Sequence, residues 1–234
     1  SPEYKKLGVF KTLAKELYSS CFNKLDLIWG FPNNNSLSGF IKHLNWKHIC
    51  DINMLTLDLD DVTKFINEDI ENITKIDKFT PDYNDLFCSM CDSYIIITKR
   101  DCEYLNWRFV ENPINQYSIL EYREDNILKG YCVYKMYNGG EGVSGDIVDI
   151  LAIDENVFDK LVFMAIQEVH KNGGVYVNTW MVNSLLIDVL IEIGFKYTNN
   201  LTHFGLCINS NKLDLNEILN IKYWYLTMSD SDVY

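Results

Sequence analysis

The sequence has little positive charge, and this scarcity argues against one class of partner. Only 21 of its 234 residues are Lys or Arg, against 33 Asp or Glu, so the formal net charge is −12. Binding to a nucleic-acid backbone depends on cations that neutralise phosphates. We therefore predict no nucleic-acid partner, and an acidic surface is compatible with a cationic amine substrate.

Long apolar runs are also missing. No stretch approaches the roughly 20 apolar residues of a membrane-spanning helix, and the opening residues show no signal-peptide pattern. The seven cysteines are odd in number and irregular in spacing, which favours reduced thiols in a cytosol over a disulfide framework. Cys88 and Cys91 form a single CxxC without a second ligand pair. We expect a cytoplasmic protein with no membrane association and no metal site.

What is present is a large apolar fraction, 47%, which supports a sizeable core. The opening residues 2–10 carry Lys5, Lys6 and Gly8 and run into a helix whose apolar period includes Val9 and Leu13. The first amides of a helix lack internal partners, and that end of the helix dipole is positive. The stretch therefore suits a bound phosphate, although an ordinary surface loop before an amphipathic helix explains it equally well.

The following segments have a recognisable order. Residues 25–31 predict a buried strand, 32–35 a turn, 36–44 a short helix, and 49–52 and 54–59 two strand-like runs. This order resembles the second half of the GNAT acetyltransferase fold, where a Pro-Glu-Tyr-Arg-x-x-Gly-x-Gly/Ala loop binds the pyrophosphate of acetyl-CoA. Lys5 stands at the arginine position, and Phe10 replaces the second small residue.

The resemblance implies both a cofactor site and a gap in the catalytic machinery. The implied contacts to acetyl-CoA come from seven residues: Lys5, Lys6, Leu7, Gly8, Val9, Phe10 and Asn34. Ile41 occupies the position where many family members keep a tyrosine as general acid. His43 and His48 flank the corner between helix and strand, and each is an ordinary surface residue by default. No catalytic residue is assigned.

A second stretch repeats the spacing of the first. Asn183 and Phe195 each lie 149 residues after Asn34 and Trp46, which predicts two GNAT-like units in tandem. The second copy differs at the phosphate position, where Asp154 and Glu155 replace the glycine loop. Carboxylates repel phosphate, and Asp154 suits a helix N-cap. This copy is therefore interpreted as degenerate, with a structural or substrate-shaping role.

These patterns predict an α+β fold with mixed, mostly antiparallel sheets and flanking helices. We predict a GNAT half-module over 1–59, a connecting helix and linker over 60–82, a degenerate module over 83–209, and a C-terminal helix or arm over 210–234. The half-module is expected to lack its N-terminal strands and to leave a sheet edge that is exposed or paired with another molecule. The connecting helix is expected to include Ile73. In the first helix, we expect the Phe10 ring to be buried beside Leu13 and Leu17, which leaves the amides of residues 7–10 free.

The C-terminal arm carries three consecutive aromatic residues, 223–225, followed by Asp230 and Asp232. The favoured interpretation is an arm whose aromatic side chains pack and whose acids are solvated. The alternative is that one of these acids lies near a cationic amine.

The function implied by the resemblance is acetyl transfer from acetyl-CoA to a primary amine of a small molecule or peptide. One alternative is a non-catalytic GNAT-like scaffold or interaction module. Another is an acyl or aminoacyl transferase that uses a loaded carrier. Fold alone does not choose among them.

Overall fold

A computed structural model describes residues 8–21, 24–61, 70–139, 142–210, 212–232 and 234. The chain forms two compact units. Unit 1 comprises Ser1–Ile52 and Asn200–Ile221, and unit 2 comprises Asn53–Asn199 and Lys222–Tyr234.

The described part of unit 1 contains short helices and strand segments. Its elements are α1 (Val9–Cys21), β1 (Leu27–Gly30), α2 (Leu37–Leu44), the first part of β2 (Lys47–Asp58), the second part of β9 (Lys196–Ile208) and α7 (Leu215–Ile218). The strand order is β1-β9-β2, with β1 antiparallel to β9, so β1 is the end strand. The buried side chains Leu44, Trp46 and Cys207 form the core.

Unit 2 contains most of the sheet. Its elements are the second part of β2, β3 (Ile73–Ile76), α3 (Asp82–Cys91), β4 (Ile96–Ile97), α4 (Cys102–Leu105), β5 (Ser118–Glu124), β6 (Ile127–Gly139), β7 (Gly142–Ala152), α5 (Glu155–Lys171), β8 (Tyr176–Thr179), α6 (Ser184–Ile193) and β10 (Trp224–Tyr225). The strand order is β2-β8-β7-β6-β5-β3, in which the β7–β8 pair is parallel and the other pairs are antiparallel. Strands β4 and β10 form a separate parallel pair. The structure thus confirms the predicted α+β class with a large, mostly antiparallel sheet.

The core of unit 2 lies between this sheet and α5. Val157, Leu161, Ala165 and Val169 of α5 are all buried against it, as the helical spacing predicts. At Gly145 in β7, an added Cβ would lie 2.1 Å from a methyl carbon of Val169, so only glycine lets the helix lie this close to the strand.

Three local predictions were wrong. Ile73 begins strand β3, which pairs with β5, instead of extending the connecting helix, most of which lies outside the described residues. Residues 49–59 do not form two strands, since β2 is continuous to Asp58. The sequence also predicts a pair of strands over 196–199 and 203–208, and these residues lie in one strand, β9. Propensity does not register a partner strand, and here pairing across the sheet decides the conformation.

Among the described residues, no helix is both long enough and apolar enough to span a membrane.

Candidate functional site

The start of α1 retains the features expected of an anion site. Lys5, Lys6 and Leu7 lie outside the described residues. Gly8 is exposed with a φ of 65°, and no atom lies within 4 Å of the position where its Cβ would be. The first helical hydrogen bond runs from the Thr12 amide to the Gly8 carbonyl, 3.0 Å away, so the amides of residues 9–11 have no partner within the helix. The first turn contains no acidic residue.

The Phe10 side chain is not buried, contrary to the expectation from the sequence. It is 59% exposed, and its ring lies 5.4 Å from that of Phe40 in α2. The helix is oriented by Tyr18, whose hydroxyl accepts a 2.9 Å hydrogen bond from Trp46 Nε1. Packing through Ala14 and Tyr18 leaves Leu13 65% exposed, because a helix cannot bury both of its flanks against one partner.

Asn34 lies in the turn before α2. Its Oδ1 atom is hydrogen-bonded to Nε2 of His203 in β9. The neighbouring Asn33 stabilises the turn, since its Oδ1 accepts hydrogen bonds from the amides of Asn35 and Ser36. The structure therefore places Asn34 in unit 1 with Gly8, Val9 and Phe10, while its contact to a cofactor stays a prediction.

The start of α5 carries a carboxylate where an anion would otherwise bind. Asp154 is the N-cap, and its carboxylate accepts a 2.8 Å hydrogen bond from the Val157 amide. This confirms the predicted cap. A neighbouring cavity of about 400 Å³ is lined by Glu155, Asp159 and Glu192, so its field repels phosphate.

The strands before and after α5 separate along their length. β7 and β8 pair only from Ser144 to Asp146 on the β7 side. C-terminal to that point, the segment Trp224–Ser231 contacts both the rest of β7 and the residues that follow β8. Met181 forms an antiparallel bridge with Thr227, and the Tyr225 hydroxyl donates to the Ile150 carbonyl of β7. The backbone carbonyl of Ile150 in β7 is therefore already hydrogen-bonded within the chain.

A buried ionic network holds this segment in place. The Arg100 guanidinium donates to Asp149 at 3.1 Å and to Asp230 at 2.8 Å, and all three side chains are fully buried. Asp149 also accepts hydrogen bonds from the Tyr131 hydroxyl at 2.8 Å and from Thr227 Oγ1 at 2.7 Å. The two carboxylates raise the pKa of Arg100 above its usual value despite the opposing effect of its burial, so the guanidinium stays charged.

This network corrects one expectation and confirms another. Trp224 and Tyr225 are buried, as expected for a packed arm. Asp230 is neither solvated nor available to a cationic substrate, because its cation is Arg100. Asp232 is exposed. The sequence gives no signal for this pairing, since its members come from three distant segments.

The described catalytic candidates are few. Ile41, at the position where the tyrosine acid was sought, is 42% exposed on α2. His43 is exposed on the same helix. His48 is hydrogen-bonded to Asp51 at 2.8 Å.

Comparison with solved structures identifies the fold. No family model matches the sequence, and no curated protein does. A GCN5-related N-acetyltransferase from Anabaena variabilis matches 90% of this chain with 53% of its own, at a TM-score of 0.62 and 10% identity. A GCN5-related N-acetyltransferase from Kribbella flavida matches 89% of this chain with 50% of its own, at a TM-score of 0.60 and 11% identity. Saccharomyces cerevisiae N-myristoyltransferase with bound myristoyl-CoA matches 70% of this chain with 51% of its own, at a TM-score of 0.53 and 9% identity.

These comparisons show that the chain has the GNAT fold, as the resemblance implied. The chain spans about half the length of these neighbours.

Proposed function

We propose that the chain forms part of an acyl-CoA-dependent N-acyltransferase, with acetyl-CoA as donor and a primary amine of a small molecule or peptide as acceptor. The GNAT fold supports acyl transfer. The observation that carries the proposal is the contrast between two helix starts. Among the described residues, that of α1 has an open glycine, no acid in its first turn and first amides without a partner within the helix, whereas that of α5 is capped by Asp154.

In this proposal the pyrophosphate of the donor binds at the start of α1. The amides of Val9, Phe10 and Lys11 would donate to phosphate oxygens, and the positive end of the helix dipole would stabilise their charge. Gly8 allows close approach, because its α-carbon carries no side chain on the open side. The Phe10 ring lies on Phe40, and α2 thus supports the edge of the site.

The chemistry asked of the protein is positioning. The neutral amine attacks the thioester carbonyl, the C–S bond breaks, and CoA leaves as the thiol or thiolate. Holding donor and acceptor together in a reactive geometry can lower the barrier by about 7–11 kcal/mol. The groups that take the amine proton and protonate the leaving sulfur are not assigned.

In this proposal unit 2 does not bind the cosubstrate. Its helix start repels phosphate, and Tyr225 already bonds the β7 backbone at Ile150. The implied family arrangement uses the strand before the phosphate loop for contacts to the cofactor, and in this unit that strand is β7. These features suit a module that does not bind CoA, which is also how the tandem interpretation treats it.

A second candidate function is a GNAT-like scaffold that binds acyl-CoA or a partner without catalysis. The observation that favours it is Ile41, an apolar side chain where an acid is expected.

The experiment that tests the proposal is a direct assay of acyl transfer. The chain would be incubated with acetyl-CoA and a panel of amines, including polyamines and peptides with free amino termini, and acylated products would be quantified by mass spectrometry. We expect enzyme-dependent product from at least one amine. Binding of acetyl-CoA without product would favour the scaffold. Failure to bind acetyl-CoA would overturn the acyltransferase proposal and leave only a scaffold that binds a partner.

A further inference from the structure

Three side chains in unit 1 converge on one point. His48 and Asp51 lie on β2, and His203 lies on β9. Their candidate ligand atoms all fall within 4.8 Å of one another. Asp51 Oδ1 is the shared centre, at 2.8 Å from His48 Nε2 and 2.6 Å from His203 Nδ1. The cluster is open to solvent on the side of His48 and Asp51.

The bonding of His203 conflicts with a neutral ring. Its Nε2 atom is bonded to Oδ1 of Asn34, and an amide oxygen can only accept, so Nε2 carries the proton. In the neutral ring Nδ1 then has a lone pair, which faces the carboxylate oxygen of Asp51. Two lone pairs at that distance repel. A cation bound between Nδ1 and the carboxylate would remove this repulsion.

We propose that His48, Asp51 and His203 bind a divalent first-row transition-metal ion of the zinc class. His48 Nε2, Asp51 Oδ1 and His203 Nδ1 are the ligands. The cation converts the repulsive pairing of Nδ1 and carboxylate into shared coordination. Asn34 holds the remaining ring proton of His203, which is the usual outer-shell arrangement for a metal-binding imidazole.

The donor set selects this class of ion. Two imidazoles and one carboxylate suit zinc, cobalt, nickel or ferrous iron, and they suit magnesium or calcium poorly. Zinc bonds of about 2.0–2.2 Å in a tetrahedral site hold ligand atoms about 3.3–3.5 Å apart. The two contacts to Asp51 must therefore lengthen by about 0.5–0.9 Å, and the His48 and His203 atoms must lie closer than the 4.8 Å that bounds the cluster. The exposed His48 and Asp51 side chains permit such an adjustment. Three protein ligands leave at least one position open to water or substrate.

Asp51 must be in its carboxylate form to act as a ligand. Sequence reasoning misses the site because His203 is distant in the chain and reaches β2 only through pairing of the strands.

The proposal is tested by titrating the metal-free chain with Co²⁺ and Zn²⁺, using visible cobalt absorption and calorimetry. We expect one high-affinity site that His203→Ala abolishes and that Asp51→Asn, which preserves side-chain size, also abolishes. Asn34→Leu should weaken binding by about 10–100-fold, as expected for an outer-shell partner. His43→Ala is the matched control, since it removes an exposed histidine of the same unit, and it should leave affinity unchanged.

Thiols also bind these metals, so the Cys88→Ser/Cys91→Ser double variant separates the two kinds of site. We expect it to retain the histidine-dependent site in full. Absence of such a site in the unaltered chain would overturn the proposal. So would affinity that survives Asp51→Asn, or that disappears only with the two cysteines.

Discussion

Replacing Arg100 with Met should lower the free energy of unfolding by about 3–5 kcal/mol, the range for a buried ion pair that loses one partner. The reason is that the substitution leaves two buried carboxylates without a cation. Asp149 and Asp230 have fully buried side chains, and Arg100 is their common cation. Without it, two like charges remain in a site that excludes water, and Met supplies no donor.

The adjacent residue provides the control. Lys99 pairs with Asp101 at the surface, with 72% of its side chain exposed, so Lys99→Met should leave stability unchanged within error. Adding Asp149→Asn and Asp230→Asn to Arg100→Met should recover part of the loss, since the amides remove the unpaired charges. Chemical denaturation measures all of these. If Arg100→Met were no more destabilising than Lys99→Met, the network would not be what fixes the C-terminal segment.

Replacing Gly8 with Asp should weaken acetyl-CoA binding on the order of 100-fold, or about 3 kcal/mol, which is the scale of like-charge contacts at an interface. The new carboxylate would occupy the open side of the α-carbon, where the pyrophosphate is proposed to lie. It would also accept hydrogen bonds from the first amides of α1, as Asp154 does at α5.

Two variants isolate this effect. Gly173 also has a positive φ, 79°, and open space around its missing Cβ, so Gly173→Asp introduces similar strain and the same charge in unit 2. Asp154→Ala removes the N-cap of α5, which Gly8→Asp would imitate at α1. This change should lower the free energy of unfolding by about 1 kcal/mol. Calorimetric titration should show unchanged acetyl-CoA affinity for both. A large loss from Asp154→Ala would mean that α5, not α1, receives the pyrophosphate.

The fold could be predicted from the sequence wherever the signal is local. The stripe of α5 and the cap Asp154 were predicted and are observed, because each depends on residues within one or two turns. Ile73 was assigned to the wrong element because β3 exists only through its pairing with β5. Periodicity gave α1 an apolar face, but the bond between Tyr18 and Trp46 decides how the helix is turned.

The candidate site could be predicted only in part, for a related reason. Gly8 and the absence of acids in the first turn of α1 can be read along the chain. The partners of Asn34 and Asp230 cannot, since His203 and Arg100 reach them from distant segments. Charge complementarity over such separations leaves no spacing pattern, and only the folded sheet brings these groups together.

Hydrogen–deuterium exchange with and without acetyl-CoA tests the central claim most directly, because it reports which helix start the cosubstrate covers. The account predicts slower exchange at the amides of Val9, Phe10 and Lys11 and no change at Asn156 or Val157. Protection at the start of α5, with none at the start of α1, would contradict it.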